Sequence, residues 1–342
     1  MHLLIVGYGS AGRRHLAAAR ALVPGLRVTL LRRPGGDTGA GAGAEAVVHD
    51  LAAALAAKPD LAVVATPAPL HLEAATALVA AGVPVLVEKP LADSPAGVPD
   101  LLRAQAARGT PLLVGYCLRH DRAWSAVGRA LADGRIGAPV WAGAQVGQYL
   151  PDWRPGTDHR AGVSGRADLG GGVLLELSHE IDLLRAALGE VAAVTASLGR
   201  VGGLGVEVED CADLILHFAG GAMGNLHLDM VQRAPVRQCR IAGAEGTLEW
   251  DGIARTARLY TAAAGRWQVL DDGAGADVDA MFRAQFAHFL DCAAGRCPPR
   301  VTAADGLRVL EVVAAARHSA RAGREAPVRR VPLGEAGGAA AP

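Results

Sequence analysis

The stretch Leu3-Leu4-Ile5-Val6-Gly7-Tyr8-Gly9-Ser10-Ala11-Gly12 is a strand-length apolar run passing directly into a G-x-G-x-x-G pattern, with an Ala-rich, helix-length segment behind it. Each glycine has a task at such a junction. The first permits a tight turn, the second lets backbone approach a pyrophosphate, and the third allows the helix to pack closely on the strand. The helix N-terminus favours the negative charge. In a chain with 44 glycines the bare pattern arises by chance, so the weight rests on the strand-glycine-helix context, which points to dinucleotide binding.

Further apolar runs lie at Arg27–Leu31, Ala46–Val48, Leu61–Ala65, Val83–Val87 and Pro111–Val114, most of them separated by Ala-rich segments of helix length. Continuous rather than alternating hydrophobicity predicts buried parallel strands covered by helices on both faces. Residues 1–118 therefore read as a doubly wound Rossmann domain whose ligand edge lies where the strands end. Beyond Gly115 the pattern changes. A polar stretch from Gln148 to Gly172 leads into a helix predicted over Leu174–Leu188. Strands follow at Val191–Arg200, Val206–Phe218, Ala222–Met230, Arg237–Ala242 and Thr247–Trp250, joined by glycine-bearing turns. Residues 119–334 thus form an α+β domain with a predominantly antiparallel sheet. Helices close it at Val278–Ala294 and Ala303–Ala322, the second a candidate to pack back on the first domain, and 335–342 reads as a disordered tail.

Composition excludes several functions. The chain has 342 residues, 51% apolar and 20% charged, with 34 basic against 34 acidic side chains. With a mean hydropathy of +0.23 it is too apolar for disorder, and it lacks an 18-residue apolar stretch able to span a bilayer. Zero net charge offers no field to attract nucleic acid or a membrane surface. Met1–Val6 carries no basic leader region, so a cytoplasmic location is expected. The five cysteines, Cys117, Cys211, Cys239, Cys292 and Cys297, are odd in number and show no C-x-x-C spacing, which predicts reduced, mostly buried thiols.

Three more features bear chemistry. At the end of the second strand, where an acid usually meets the ribose hydroxyls of NAD, the chain has Arg32 and Arg33. Either can fork onto a 2′-phosphate, which places NADP ahead of NAD, or serve as solvated charge before the loop Pro34–Gly43. Thr66-Pro67 with His71, and Glu88-Lys89-Pro90, follow the fourth and fifth strands and border the predicted cofactor cleft. Lys89 and Lys58 are the two lysines among 34 basic residues, so Lys89 withstood a drift to arginine, and a titratable ammonium suits proton relay better than guanidinium. Finally, Gly170-Gly171-Gly172 leads to Glu176, His179 and Asp182. On one continuous helix that three-residue spacing sets a carboxylate one turn from the imidazole on either side, orienting it and raising its basicity.

Taken together, Gly7–Gly12, the Thr66-Pro67…His71 turn, Glu88-Lys89-Pro90 and the triple glycine before His179-x-x-Asp182 resemble the Gfo/Idh/MocA oxidoreductases, the glucose-fructose oxidoreductase and inositol dehydrogenase relatives, over nearly the whole chain. Val114-Gly115-Tyr116…Arg119, Tyr149–Pro155 and Thr302…Ser319-Ala320 extend the resemblance, the middle segments being similar to a branch of surface-polysaccharide and amino-sugar pathways. There are two departures. The acid before the histidine is Glu176, three residues away rather than an aspartate four away, and Arg119-His120-Asp121-Arg122 stands where the branch reads Arg-Phe-His-Pro.

The resemblance implies a catalytic pair, Lys89 and His179, assisted by Glu176 or Asp182. Gly7, Tyr8, Gly9, Ser10, Ala11, Gly12, Arg32, Arg33, Thr66, Pro67, His71, Glu88, Lys89 and Pro90 are the candidate cofactor contacts. Lys89, Arg119, Asp152, Trp153, Arg154, His159 and His179 are the candidate substrate contacts. The expected reaction is reversible hydride transfer between nicotinamide and a ring hydroxyl carbon of a sugar, amino sugar, nucleotide sugar or cyclitol, with imidazole as general base and no metal. A reductase of a non-sugar imine or ketone, or a non-catalytic dinucleotide sensor, would use the same fold but need not keep the Lys89 and His179 pair. Small residues and histidines on the second sheet, with few lysines or glutamates, predict a homodimer or homotetramer formed through that sheet.

Overall fold

A computed structural model describes residues 1–33 and 43–332. The loop expected after Arg33 and the tail 335–342 lie outside the described residues, apart from Gly43. The chain divides into two compact units. One comprises Met1–Tyr116, Val278–Leu307 and, of the described residues at the end, Val331 and Pro332. The other comprises Cys117–Asp277 and Arg308–Arg330.

The first unit is built on a six-stranded parallel sheet of β1 (His2–Val6), β2 (Arg27–Leu31), β3 (Ala46–Val48), β4 (Leu61–Val64), β5 (Val85–Val87) and β6 (Leu112–Val114), in the order β3-β2-β1-β4-β5-β6. Helices α1 (Ser10–Leu22), α2 (Leu51–Ala56), α3 (His71–Ala80) and α4 (Val98–Arg108) connect the strands. Leu3, Leu4, Ile5, Val28, Leu30, Val63, Val64, Val85 and Leu86 are fully buried, which explains why these strands read as continuous apolar runs. Each fully buried aliphatic side chain contributes about 1.5–3 kcal/mol. The strand order reverses between β1 and β4, and the glycine turn after β1 lies at that switch point. Helix α8 (Val278–Ala293) packs on α1, and the segment after it returns to β6, where the Val114 amide donates to the Val301 carbonyl at 3.1 Å. Helix α9 (Ala303–Ala322) begins in this unit and continues in the second.

The second unit holds α5 (Arg122–Ala132), β7 (Pro139–Gly147), the short α6 (Val173–Glu176), α7 (His179–Leu188) and strands β8 (Val191–Gly199), β9 (Cys211–Phe218), β10 (Met223–Asp229), β11 (Val236–Gly243), β12 (Gly246–Asp251), β13 (Thr256–Thr261) and β14 (Arg266–Asp271), with β15 (Ala326–Pro327) at the end. Its sheet runs β14-β13-β12-β11-β7-β10-β9-β8-β15, antiparallel except where β7 lies parallel to β10. The central strand β7, strand β13, the edge strand β14 and the helix α5 were not foreseen in the sequence. Ala142, Ala144, Val146, Leu214, Leu216, Leu226, Leu228, Ile241 and Leu248 form the buried face, covered by α5, α6 and α7. Trp141, Ile215 and Met223 stand on the opposite face, and each is at least 36% exposed.

The helix predicted over Leu174–Leu188 is two helices. Leu177, at φ −103° and ψ 26°, leaves helical geometry, so α6 ends at Glu176 and α7 starts afresh at His179. The three-residue spacing of Glu176, His179 and Asp182 therefore does not lie on one continuous helix, because the break separates the first of them from the other two. The strand expected from Val206 also starts later, at Cys211.

Candidate active site

In the first unit the glycine turn is shaped by contacts that admit no side chain. Gly7 has φ +89°, and a Cβ there would come within 2.8 Å of the Ala65 carbonyl oxygen. At Gly12 a Cβ would collide with the Gly7 carbonyl oxygen. A Cβ at Gly9, in contrast, would meet nothing within 4 Å, leaving open space over the N-terminus of α1. Beside this turn the Thr66 hydroxyl oxygen is buried and has no hydrogen-bond partner among the described residues, and neither has Arg32 Nη1. The Arg32 guanidinium lies over the Tyr8 ring, 5.7 Å from its centroid, and Arg13 stands 5.9 Å from the same ring. Arg33 is exposed. An open glycine cradle on a helix N-terminus, bordered by a buried hydroxyl and an arginine whose Nη1 has no acceptor among the described residues, fits a dinucleotide.

Two histidines fasten the loops that follow β4 and β5. His71, 1% exposed at the start of α3, sits between the Thr66 carbonyl (2.7 Å from Nε2) and the Pro90 carbonyl (2.9 Å from Nδ1) and as a neutral ring donates to one of them. Burial pulls its pKa below the ordinary imidazole range, against the opposing pull of these carbonyls. His15, fully buried on α1, sets Nε2 2.6 Å from Glu88 Oε1, and the other Glu88 oxygen accepts the Lys89 amide at 3.0 Å. Burial by itself would raise the Glu88 pKa. The hydrogen bond and charge of His15, with the Lys89 charge and amide, outweigh it and hold the carboxylate below its ordinary value. Phe282 of α8 meets the His15 ring edge-on at 5.3 Å, which completes its packing. Lys89 thus leaves the end of β5 on a backbone anchored to a carboxylate, itself anchored to α1. The role of His15 went unread in the sequence, although its position three residues after Gly12 marks the buried side of α1.

In the second unit His179 is 8% exposed and is the first residue of α7. The acids near it hold the protein together. Asp182, fully buried, accepts Arg119 Nε at 2.7 Å and Nη2 at 3.1 Å, and Glu180 accepts Arg237 Nε at 2.7 Å. Glu176 accepts the Ser164 hydroxyl at 3.2 Å. The structure therefore joins Arg119 to Asp182, a candidate substrate contact to a candidate catalytic acid. Trp153 donates its indole N–H to the Gln148 carbonyl at 3.0 Å, and His159 Nε2 lies 2.8 Å from the Leu204 carbonyl, so both tether the loop after β7. Asp152 and Arg154 are exposed on that loop. An unforeseen neighbour is Arg233, whose guanidinium lies 3.5 Å from the Tyr149 ring centroid.

Comparison with known proteins gives the class first. Residues 1–116 match an oxidoreductase family with an NAD-binding Rossmann fold, and residues 124–249 match the GFO/IDH/MocA C-terminal domain. The chain belongs to the GFO/IDH/MocA family of oxidoreductases. It is 28% identical to a D-apiose dehydrogenase of Paraburkholderia graminis, over 94% of this chain and 88% of that one. It is also 28% identical to a 1,5-anhydro-D-fructose reductase of Ensifer adhaerens, over 67% of this chain and 68% of the relative. Among solved structures a levoglucosan dehydrogenase in complex with NADH superposes with a TM-score of 0.85 at 21% identity, covering 97% of this chain and all of the other.

Proposed function

We propose that this oxidoreductase interconverts a ring hydroxyl and a ketone on a sugar, amino sugar, nucleotide sugar or cyclitol, with Lys89 and His179 handling the proton. The observation that carries the reading is the anchoring of Lys89 through Glu88 and His15 at the carboxyl end of β5. An ammonium on so constrained a backbone is placed to hydrogen-bond one oxygen and stabilise charge developing there. His179, at the head of α7, takes or returns the hydroxyl proton at a ring nitrogen. Gly7, Gly9 and Gly12, with Thr66 and Arg32, hold the dinucleotide, which when bound accepts or donates hydride. The curated relatives, a sugar dehydrogenase and an anhydrosugar reductase, favour carbohydrate chemistry.

Arg32 and Arg33 extend the proposal to cofactor choice. With arginine in place of an acid after β2, a 2′-phosphate gains a charge-assisted hydrogen bond of about 1.5–3 kcal/mol. A panel of free sugars, cyclitols, amino sugars and UDP-sugars, followed at the nicotinamide absorbance with NAD and with NADP, tests both parts. Turnover of at least one member is expected, with NADP bound tighter than NAD and the ratio reduced in Arg32→Ala. If no member of the panel turns over with either cofactor, the substrate class is wrong. Tighter binding of NAD removes the arginine argument.

A further inference from the structure

The C-terminal end of α8 and the turn beyond it gather three side chains that the proposed reaction does not use. Cys292 Sγ lies 3.7 Å from Cys297 Sγ, and His288, one helical turn before Cys292, faces both sulfurs, with Nε2 3.4 Å from Cys292 and Nδ1 3.6 Å from Cys297. The local fold enforces the approach. Gly295, at φ +70°, reverses the chain as the helix ends, and its amide donates to the Cys292 carbonyl at 3.0 Å. Asp291 grips Arg296 through Nε at 2.8 Å, so the next residue, Cys297, folds back under the helix. The ring of His288 is pinned by the Arg300 amide, which donates to Nε2 at 2.9 Å.

That last bond fixes the chemistry. Since Nε2 accepts from an amide, the proton of neutral imidazole resides on Nδ1, the nitrogen facing Cys297, where it can donate to the sulfur. Cys297 is half-buried, whereas Cys292 is 2% exposed, and both line an open cavity of 480 Å³ with Thr110, Pro111 and Pro299. An accessible, histidine-supported sulfur with a second sulfur in contact behind it is the arrangement of an attacking and a resolving thiol.

We propose that Cys297 and Cys292 form a two-electron oxidation site that a hydroperoxide converts to an intramolecular disulfide. In the first step the Cys297 thiolate attacks the peroxide oxygen, the O–O bond breaks, Cys297 becomes a sulfenic acid, and the other oxygen leaves as water or alcohol after taking a proton. In the second, Cys292 sulfur attacks Cys297 sulfur, the S–O bond breaks, and the Cys292 proton leaves with the hydroxyl as water. The two thiols together lose two electrons and two protons, and the hydroperoxide is reduced.

The test uses the full-length reduced protein, exposed to a slight excess of hydrogen peroxide, alkylated, and digested after arginine. Cleavage at Arg283, Arg296 and Arg300 separates the Cys292 peptide from the Cys297 peptide, so a disulfide joins two fragments that reductant releases. The expected result is that joined pair, formed while Cys117, Cys211 and Cys239 remain alkylated. In Cys292→Ala the expected product is a Cys297 sulfenic acid captured by dimedone, and in Cys297→Ser no joined pair. The wild-type measurement decides the matter even if a variant fails to fold. Alkylation of Cys292 and Cys297 to the same extent before and after peroxide overturns the proposal. So does Cys297 sulfinic acid beside a free Cys292, or zinc bound stoichiometrically by the protein as purified.

Discussion

His15 shows how one side chain conveys order from the glycine turn to the candidate catalytic lysine. Its hydrogen bond keeps Glu88 ionised inside the fold, and Glu88 in turn holds the Lys89 amide. Because the native pKa of Glu88 lies below its ordinary 4.5, its contribution to stability is present above that pH and is lost as pH falls through the native value. Replacing His15 by leucine leaves burial unopposed by its main partner, so ionised Glu88 then works against folding. The destabilisation by His15→Leu, read from urea unfolding, should be largest near neutrality and shrink once pH falls below the native pKa of Glu88, where the carboxyl is protonated in either protein. Equal destabilisation at both pH values would show that His15 acts only as packing.

At the level of elements, α7 owes its placement to two buried ion pairs, Asp182 with Arg119 and Glu180 with Arg237. Removing Arg119 takes away the two-point partner of the buried Asp182 carboxylate, and breaking a buried pair from one side costs about 3–5 kcal/mol. Arg119→Ala should therefore lower the thermal midpoint markedly, as measured by calorimetry without ligand. A variant as stable as the wild type, but with weakened substrate binding, would return Arg119 to the role of substrate contact. The same elements show what could be read in advance. Strands β1, β4, β5 and β6 were legible because their side chains are buried on both faces and so form unbroken apolar runs. Strand β7 was not, since its covered face offers only Ala142, Ala144 and Val146, and an Ala/Gly alternation carries little hydrophobic signal. Helix α5 left one overlooked mark, Asp121, whose carboxylate caps the Trp124 amide at 2.8 Å. The break between α6 and α7 was hidden, because a three-residue spacing looks the same whether or not the helix is continuous. For that reason the acids near His179 were legible as acids, but not as anchors.

Across the whole molecule, the nine-stranded sheet has one face covered by helices and one open. On the open face Trp141, Ile215 and Met223 occupy neighbouring strands beside the Arg240–Glu249–Arg258 charge ladder. We propose that this face joins two copies of the chain, as a symmetric pair or as the repeat within a tetramer. Light scattering at micromolar protein should give a dimeric or tetrameric mass, and Ile215→Glu, which alters only the open face, should reduce it. Leu226 is unsuitable for such a test because it belongs to the covered core. A monomeric mass at full activity would remove the idea.

The central claim is that Lys89 and His179 act on the transferred proton rather than on the dinucleotide. Its most direct test is the single-turnover rate of nicotinamide reduction or oxidation in Lys89→Ala and His179→Ala, with the best substrate of the panel and with cofactor affinity measured in parallel. The account predicts a fall of about 10²-fold or more in each variant with cofactor affinity nearly unchanged. A wild-type rate in either purified variant would contradict it.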